Sequence, residues 1–165
     1  TTQEYLKIFD KLKKINPKIK FSSDFIIGYP GENDEDFQDT LNLIKKIKFI
    51  NSYSFIFSPR PGTVAFNYKL VDKKISNKRL EKIQNYLFEN QINMNKSLEN
   101  KTLKVLVENL SRDKSQVFGR SEYMTPVIFD GKKDDIGKIM LVKIVKSNRT
   151  SLFGELVPKL NQKVA

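Results

Sequence analysis

The sequence predicts an α/β region followed by a small all-β barrel. Two short apolar runs, residues 25–27 and 53–57, are separated by a helical pattern, which is typical of parallel strands joined by a crossover helix. From about Lys101 the pattern changes to apolar and polar residues that alternate in short segments. The 165 residues suffice for one domain or two small ones.

The first predicted element is an amphipathic helix. Thr1 and Glu4 have the spacing of a capping box, in which a hydroxyl and a carboxylate satisfy the first backbone N–H groups. Asn16, followed by a proline, predicts the end of this helix. We expect an apolar stripe on it to face the core, formed by Tyr5, Ile8, Phe9, Leu12 and Ile15.

Both apolar runs end in loops rich in glycine and proline. Residues 28–32 (GYPGE) follow the first run, and residues 58–63 (SPRPGT) follow the second. Ligands of parallel sheets bind at the carboxyl ends of the strands, so these two loops form the expected functional edge. Such loops are also common as plain turns, and the spacing alone leaves both interpretations open.

Two further helices are predicted. The first lies between the two strands, with Asn33 as its cap, acidic residues in its first turn and lysines in its last turn, as the helix dipole favours. We therefore interpret the acidic cluster as capping and not as a metal site. A long helix is predicted from Ser76 to about Asn100. Its apolar stripe consists of Leu80, Ile83, Leu87, Met94 and Leu98.

Five short strands are predicted after this long helix. Their alternation places Leu103, Val105 and Val107 on one face of the first strand. Glycines at positions 119, 131, 137 and 154 are expected at bends or close approaches. Five strands in about sixty residues predict a small barrel of the oligonucleotide-binding kind. The predicted strands are residues 102–108, 115–122, 125–129, 138–147 and 150–157.

The composition limits the chemistry. Lys and Arg total 30 against 19 Asp and Glu, which gives a net charge of +11. This excess favours RNA or DNA over a membrane as the partner. The alternative explanation is that lysine is simply abundant in this sequence. Cysteine and histidine are absent, which excludes a thiolate-ligated cluster, the usual zinc sites and histidine acid–base catalysis within this chain. Because no apolar run is long enough to span a bilayer, we expect a cytoplasmic location.

Residues 24–32 (DFIIGYPGE) and 53–63 (YSFIFSPRPGT) together resemble the radical S-adenosylmethionine methylthiotransferases. The resemblance is closest to the branch that modifies isopentenyl-adenosine beside the tRNA anticodon, and it extends from Thr1 to about Val157. It implies four segments. These are the last βα units of a partial radical-SAM (β/α) barrel (1–75), a bracing helix or linker (76–100), a TRAM RNA-binding barrel (101–158) and a tail (159–165).

The resemblance also implies cofactors. The family uses S-adenosylmethionine and iron–sulfur clusters held by cysteines, which this chain lacks. The chain would then be the C-terminal portion of such an enzyme, inactive alone and binding no cofactor by itself. It would supply no catalytic and no metal-binding residue, and its partners would be tRNA and the missing N-terminal portion. The residues implied to line the S-adenosylmethionine pocket are Ile26, Gly28, Glu32 and Ser58.

Candidate RNA contacts are basic and aromatic side chains, which neutralise phosphates and stack on bases. Solvated lysines and core aromatics are the alternative interpretation. The family often has Asn-Arg before the third strand of the barrel, where this chain has Met124, Thr125 and Pro126. The candidate cations are Arg60, Lys104, Arg120, Lys138, Lys143, Lys146 and Arg149, and the candidate stacking residues are Phe118, Tyr123 and Phe153.

Two other functions fit the same residues. One is a stand-alone RNA-binding module of the TRAM type with a vestigial extension, and the other is a decayed gene relic without activity. Two parallel strands cannot close a barrel, so we expect residues 20–60 to expose strand edges and apolar faces.

Overall fold

The computed structural model describes residues 1–111 and 114–158, and the predicted tail, 159–165, lies outside them. The chain divides into two compact units, one of residues 1–90 and one that begins at Gln91. Among the described residues, no helix combines the length and the apolar composition needed to cross a bilayer.

The first unit alternates helices and strands, as the sequence predicts. A short 3-10 helix, Val64–Asn67, follows the second strand. The helices are α1 (Thr2–Ile15), α2 (Asp34–Ile47) and α3 (Lys73–Lys96), and the strands are β1 (Asp24–Ile27) and β2 (Tyr53–Ile56). Helix α3 begins in this unit, and its residues 91–96 belong to the second unit.

The strands β1 and β2 pair in parallel, which confirms the predicted crossover through α2. One face of this sheet packs against helices in a common core. On the other face Ile26, Tyr53 and Phe55 are 59%, 66% and 54% exposed, as expected for a sheet with too few elements to cover both faces. The buried core of the unit consists of Phe25, Ile27, Phe37, Leu41, Ile44, Ile47, Phe49, Ile83 and Leu87.

Helix α2 has the predicted cap. The Asn33 Oδ1 atom accepts hydrogen bonds from the backbone N–H groups of Glu35 at 2.8 Å and Asp36 at 3.0 Å. In return, the Asp36 carboxylate accepts from the Asn33 N–H at 3.0 Å, so the two residues form a reciprocal capping box. The acidic first turn therefore caps the helix, as interpreted from the sequence.

Helix α1 has its predicted capping box, but most of its predicted core-facing stripe is wrong. The described residues of α1 include none that is buried, and Ile8 and Ile15 are 60% and 72% exposed. Leu6 and Phe9 are the side chains of this helix that pack partly against the core. The two-stranded sheet offers α1 a narrow surface, so only part of its apolar stripe finds a contact.

Helix α3 begins three residues before the predicted Ser76. The Asp72 Oδ1 atom accepts from the N–H groups of Lys74 at 2.8 Å and Ile75 at 3.2 Å and so acts as the cap. The helix ends at Lys96, and the chain then turns through Asn100, which has a left-handed φ of 63°. The predicted stripe is confirmed by the burial of Ile83, Leu87, Met94 and Leu98.

The second unit contains a closed five-stranded barrel, which confirms the predicted all-β region. The strand order is β3–β4–β5–β7–β6, and β6 pairs with β3 to close the barrel. Among the described pairs, β5 and β7 are parallel and the others are antiparallel. The strands are β3 (Thr102–Leu110), β4 (Val117–Ser121), β5 (Pro126–Phe129), β6 (Ile139–Ser147) and β7 (Leu152–Leu156), and a 3-10 helix, Lys133–Asp135, precedes β6.

Two glycines of the barrel lie at close approaches, as predicted. A Cβ atom on Gly119 would overlap the carbonyl oxygen of Leu106, and one on Gly154 would come within 2.7 Å of the Lys143 carbonyl oxygen. The barrel strands can therefore approach each other closely at both points. The interior is filled by Leu103, Val105, Val107, Val117, Val127, Phe129, Val142, Ile144 and Leu152.

Candidate nucleic-acid interface

A row of side chains crosses the outer face of the barrel. Phe118 on β4 is paired with Ile128 on β5, Ile128 with Phe153 on β7, and Phe153 with Lys146 on β6. The first three side chains are half-buried, and Lys146 is exposed. Barrels of the oligonucleotide-binding kind bind their ligands on the face of the second and third strands, here β4 and β5. The row therefore offers two aromatic rings, an apolar side chain and a cation on that face.

Arg120 lies beside this row and is already engaged by neighbouring groups. Its Nε atom is 3.3 Å from a carboxylate oxygen of Glu108, and its NH1 atom donates to the carbonyl oxygen of Met124 at 3.2 Å. The guanidinium also lies 5.9 Å from the centre of the Phe118 ring. The side chain is 38% exposed, so the planar group is held in place beside the aromatic ring and remains accessible.

Lys104 and Lys143 extend the positive surface onto the neighbouring strands. Both are exposed and alternate with buried residues of β3 and β6. Lys143 is paired with Thr102 on one side and with Glu155 on the other. A carboxylate opposite a lysine lowers the local potential, so Glu155 partly offsets the charge of Lys143.

Lys138 contacts an acidic neighbour. Its Nζ atom is 3.3 Å from Asp135 Oδ1, and the other oxygen of that carboxylate accepts from the Lys132 N–H at 3.0 Å. The Lys132 N–H and then Lys138 hold the pKa of Asp135 below its ordinary value. The charge of Lys138 is therefore partly compensated.

Tyr123, a candidate stacking residue, is half-buried in the turn between β4 and β5. Burial and then the neighbouring Glu122 carboxylate raise the pKa of the Tyr123 hydroxyl, so the ring stays neutral at physiological pH.

Arg149 is exposed in the turn of residues 148–151 that joins β6 to β7. Within the turn, the Asn148 Oδ1 atom accepts from the N–H groups of Thr150 at 2.9 Å and Ser151 at 2.7 Å. The Nδ2 atom of Asn95 donates to the carbonyl oxygens of Asn148 at 2.8 Å and Arg149 at 3.1 Å. The sequence gives no local signal for this contact, because Asn95 lies more than fifty residues earlier in the chain.

The expected ligand edge of the first unit is built around a buried arginine. The Glu32 carboxylate accepts from the Gly28 N–H at 3.0 Å, and its other oxygen is 2.6 Å from Arg79. Arg79 also lies 2.6 Å from the Asp34 carboxylate and 5.3 Å from the centre of the Phe37 ring. Burial opposes the charge of Arg79, but its hydrogen bonds to Asp34 and Glu32 raise its pKa.

The sequence patterns do not predict a role for Arg79. One feature of the sequence does point to a buried ion pair there: Arg79 is an arginine on a long helix whose other basic residues are lysines. Arginine is preferred over lysine where a buried carboxylate needs several donors. Both oxygens of the Glu32 carboxylate are used within the chain, so Glu32 fixes the 28–32 loop from inside.

The other residues predicted at this edge are accessible. Ile26 lies on the open face of the sheet, and Ser58 and Arg60 are exposed in the loop after β2. The Arg60 carbonyl oxygen accepts from the Thr63 hydroxyl at 2.8 Å, which closes the loop as a turn.

A pocket of about 220 Å3 opens at this end of the strands. A Cβ atom on Gly28, which has a φ of 71°, would come 2.5 Å from the Ser76 hydroxyl oxygen, so a glycine is required there for packing. The described residues contain no cluster of acidic side chains suited to hold a metal ion. The pocket is lined by Gly28, Ile56, Phe57, Leu70, Val71, Lys73 and Ser76.

Residues 96–157 match the TRAM domain model, and this range contains all five barrel strands. The barrel is a TRAM domain. The match confirms the TRAM module that the resemblance implied.

Similarity to curated proteins extends over the rest of the chain as well. The chain is 63% identical over its full length to tRNA-2-methylthio-N(6)-dimethylallyladenosine synthase of Pelagibacter ubique, of which it covers 37%. It is 44% identical over 93% of its length to the synthase of Ruthia magnifica and 38% identical over 93% to that of Wolbachia pipientis, covering 35% and 36% of these proteins. The chain thus spans about a third of the length of these relatives and is similar throughout to one portion of such tRNA methylthiotransferases.

Proposed function

We propose that the chain is the C-terminal portion of a tRNA methylthiotransferase that adds a methylthio group at C2 of isopentenyl-modified adenosine. Its own contribution is to bind tRNA through the TRAM domain and to complete the substrate-facing end of a larger catalytic region. The observation that carries this proposal is the 63% identity over the full length of the chain to the Pelagibacter ubique synthase.

The first unit is proposed to supply the last βα units of a partial (β/α) barrel that binds S-adenosylmethionine. The parallel pairing of β1 and β2 and the uncovered apolar face with Ile26 and Phe55 support this, because parallel sheets are normally covered on both faces. The missing N-terminal portion would pair with this sheet and bring the iron–sulfur clusters. Ile26, Gly28 and Ser58 would line the cofactor pocket, and Glu32 would hold the loop in shape.

The stand-alone RNA-binding module is not favoured as an alternative. Similarity to the synthases covers residues 1–95 as well as the TRAM domain, and those residues carry an ordered core of their own. We place the protein in the cytoplasm, where tRNA is modified.

The RNA-binding part is tested by titrating tRNA against the chain at several salt concentrations. Because phosphate contacts release counterions, the logarithm of the affinity should fall linearly with the logarithm of salt. Replacing Lys104, Lys143 and Lys146 by Glu should weaken binding by about a hundredfold or more.

The matched control is the same change of charge on α1, at the exposed Lys7, Lys11 and Lys14. This variant should keep most of the affinity, because α1 lies outside the TRAM domain. Equal losses in both variants would mean that net charge alone governs binding, and absence of binding at low salt would reject the RNA-binding role.

The catalytic part is tested by co-expressing the chain with the remaining portion of the Pelagibacter ubique synthase. Mass spectrometry of digested tRNA should detect the methylthio nucleoside when both pieces are present and not when either is omitted. Product formed by the chain alone would contradict the proposal.

A further inference from the structure

The last turn of α3 contains a fully buried asparagine. Asn95 is 0% exposed, although asparagine is a poor helix former and a buried amide requires hydrogen-bonding groups around it. Its Nδ2 atom donates to the carbonyl oxygens of Asn148 and Arg149 at 2.8 and 3.1 Å, and its Oδ1 atom accepts from Gln91 at 2.9 Å. Both amide protons are therefore used on one turn of the barrel.

A second side chain holds the same turn from the strand side. The Glu99 Oε1 atom accepts from the Ser147 N–H at 2.9 Å and from the Ser147 hydroxyl at 2.7 Å. Inside the turn, the Asn148 N–H donates to the Ser151 carbonyl oxygen at 2.9 Å. The backbone of residues 147–149 is thus fixed by two side chains that come from the end of α3 and the segment after it.

This turn lies in a part of the barrel that is expected to contact nucleic acid. The turn joins β6 to β7, the fourth and fifth strands of the barrel, and in barrels of this kind the connection between those strands belongs to the nucleic-acid-binding surface. Arg149 is exposed in the turn, and Lys146 lies just before it on β6. A turn that is already ordered loses less entropy when RNA binds.

We propose that Asn95 is a positioning residue for RNA binding, which presets the β6–β7 turn so that Arg149 meets a phosphate of the RNA. The inference rests on the RNA binding proposed above. Asn95 acts through the turn and does not itself touch RNA. It lies just outside the stretch that matches the TRAM domain model, so the inference extends the RNA-binding function to a residue that supports the barrel from the end of α3.

A double-mutant cycle in the full chain separates positioning from simple stabilisation. The variants are Asn95→Ala, Arg149→Ala and the double variant, and the probe is unmodified tRNA titrated at several salt concentrations. Each single variant should lose about five- to tenfold in affinity and lower the salt slope by about one, the value of one phosphate contact. The double variant should lose no more than the larger single loss, because both changes remove the same contact.

Asn93→Ala is the matched control, because Asn93 is exposed on the same helix and two residues away. It should leave affinity and salt slope unchanged. Thermal unfolding of each variant reports the stability of the barrel. If Asn95→Ala fails to fold, Asn95→Ser takes its place in the cycle, since a hydroxyl retains one donor and should give a smaller, equally coupled loss.

The outcomes are distinct. Additive losses in the cycle, or an unchanged salt slope for the Asn95 variant, would assign Asn95 a structural role only and overturn the inference while leaving the proposed RNA binding intact. A wild-type chain that binds no tRNA at low salt would overturn both.

Discussion

Arg79 is 7% exposed and lies between two carboxylates in very different surroundings. The Glu32 side chain is 12% exposed, whereas that of Asp34 is 98% exposed. An exposed ion pair contributes about 0–1 kcal/mol, but removing one member of a buried pair costs about 3–5 kcal/mol because the other charge stays buried without compensation. The contact with Glu32 therefore dominates the role of Arg79.

Replacing Arg79 by Met should destabilise the first unit by about 3 kcal/mol, because Glu32 would keep its burial and lose its counter-charge. Urea unfolding followed by circular dichroism measures the change. Lys78→Met on the exposed side of the same helix is the control and should shift the free energy of unfolding by less than about 0.5 kcal/mol. Equal stabilities of the two variants would contradict this assignment.

Asp135 gives the barrel a defined dependence on pH. The Lys132 N–H and Lys138 lower the pKa of Asp135 in the folded state below its ordinary value of 3.8, so the unfolded chain binds this proton more readily. The contribution of Asp135 to stability is complete above the unfolded pKa and is lost as the pH falls through the folded pKa.

The free energy of unfolding should therefore drop between about pH 5 and pH 2, and Asp135→Asn should flatten that part of the profile. Denaturant titrations at several pH values measure it. Asp130→Asn, a change at an exposed carboxylate of the barrel, serves as the control. If the free energy of unfolding of the Asp135 variant falls at low pH as steeply as that of the original chain, other carboxylates cause the fall.

At the scale of elements, local patterns predicted most of the fold. Alternation identified all five barrel strands, and the cap at Asn33 marked the start of α2, because both signals depend on residues close in sequence. The start of α3 and the exposure of Ile8 and Ile15 were not predicted. The start of α3 depends on which side chain caps its first backbone N–H groups. The exposure of Ile8 and Ile15 depends on how much surface the two-stranded sheet offers to α1.

The sequence predicted which types of residue form the candidate interface but not how they are arranged in space. The sequence identified the cations and aromatic residues of the barrel, and the register then placed Phe118, Phe153 and Lys146 in one row. The contacts of Glu108 with Arg120 and of Asn95 with the β6–β7 turn join positions that are distant in the chain. One sequence without structure contains no signal for such pairings.

The close approach at Gly119 makes β4 sensitive to a single methyl group. Gly119→Ala should destabilise the barrel by about 2–3 kcal/mol, because the new Cβ meets the backbone oxygen of Leu106, which cannot move without breaking the strand pairing. Thermal unfolding measures the loss. Gly137→Ala is the control. Apart from its chain neighbours, no atom of the described residues lies within 4 Å of a Cβ added there, so this variant should lose only about 1 kcal/mol through its positive φ. Similar losses at both positions would contradict the steric explanation.

At the scale of the whole molecule, the two units differ in how their strands are paired. In the described residues β1 and β2 pair with each other alone, whereas each barrel strand pairs on both sides. Hydrogen exchange should therefore be faster in β1 and β2 than in β3 and β6, because strands with a free edge open at lower free energy. The exchange rate of peptides from α2 shows whether the first unit opens as a whole. Equal protection of all four strands from exchange would contradict the prediction.

The strand order of the barrel has a consequence for its synthesis. β7 inserts between β5 and β6 and forms the parallel pair, so the ring of strands cannot be completed before residues 152–156 have left the ribosome. Until then β5 and β6 each present an unpaired edge on the nascent polypeptide, the kind of edge that chaperones shield from aggregation. A nascent chain that has emerged from the ribosome only as far as residue 151 can form four of the five strands but cannot close the barrel.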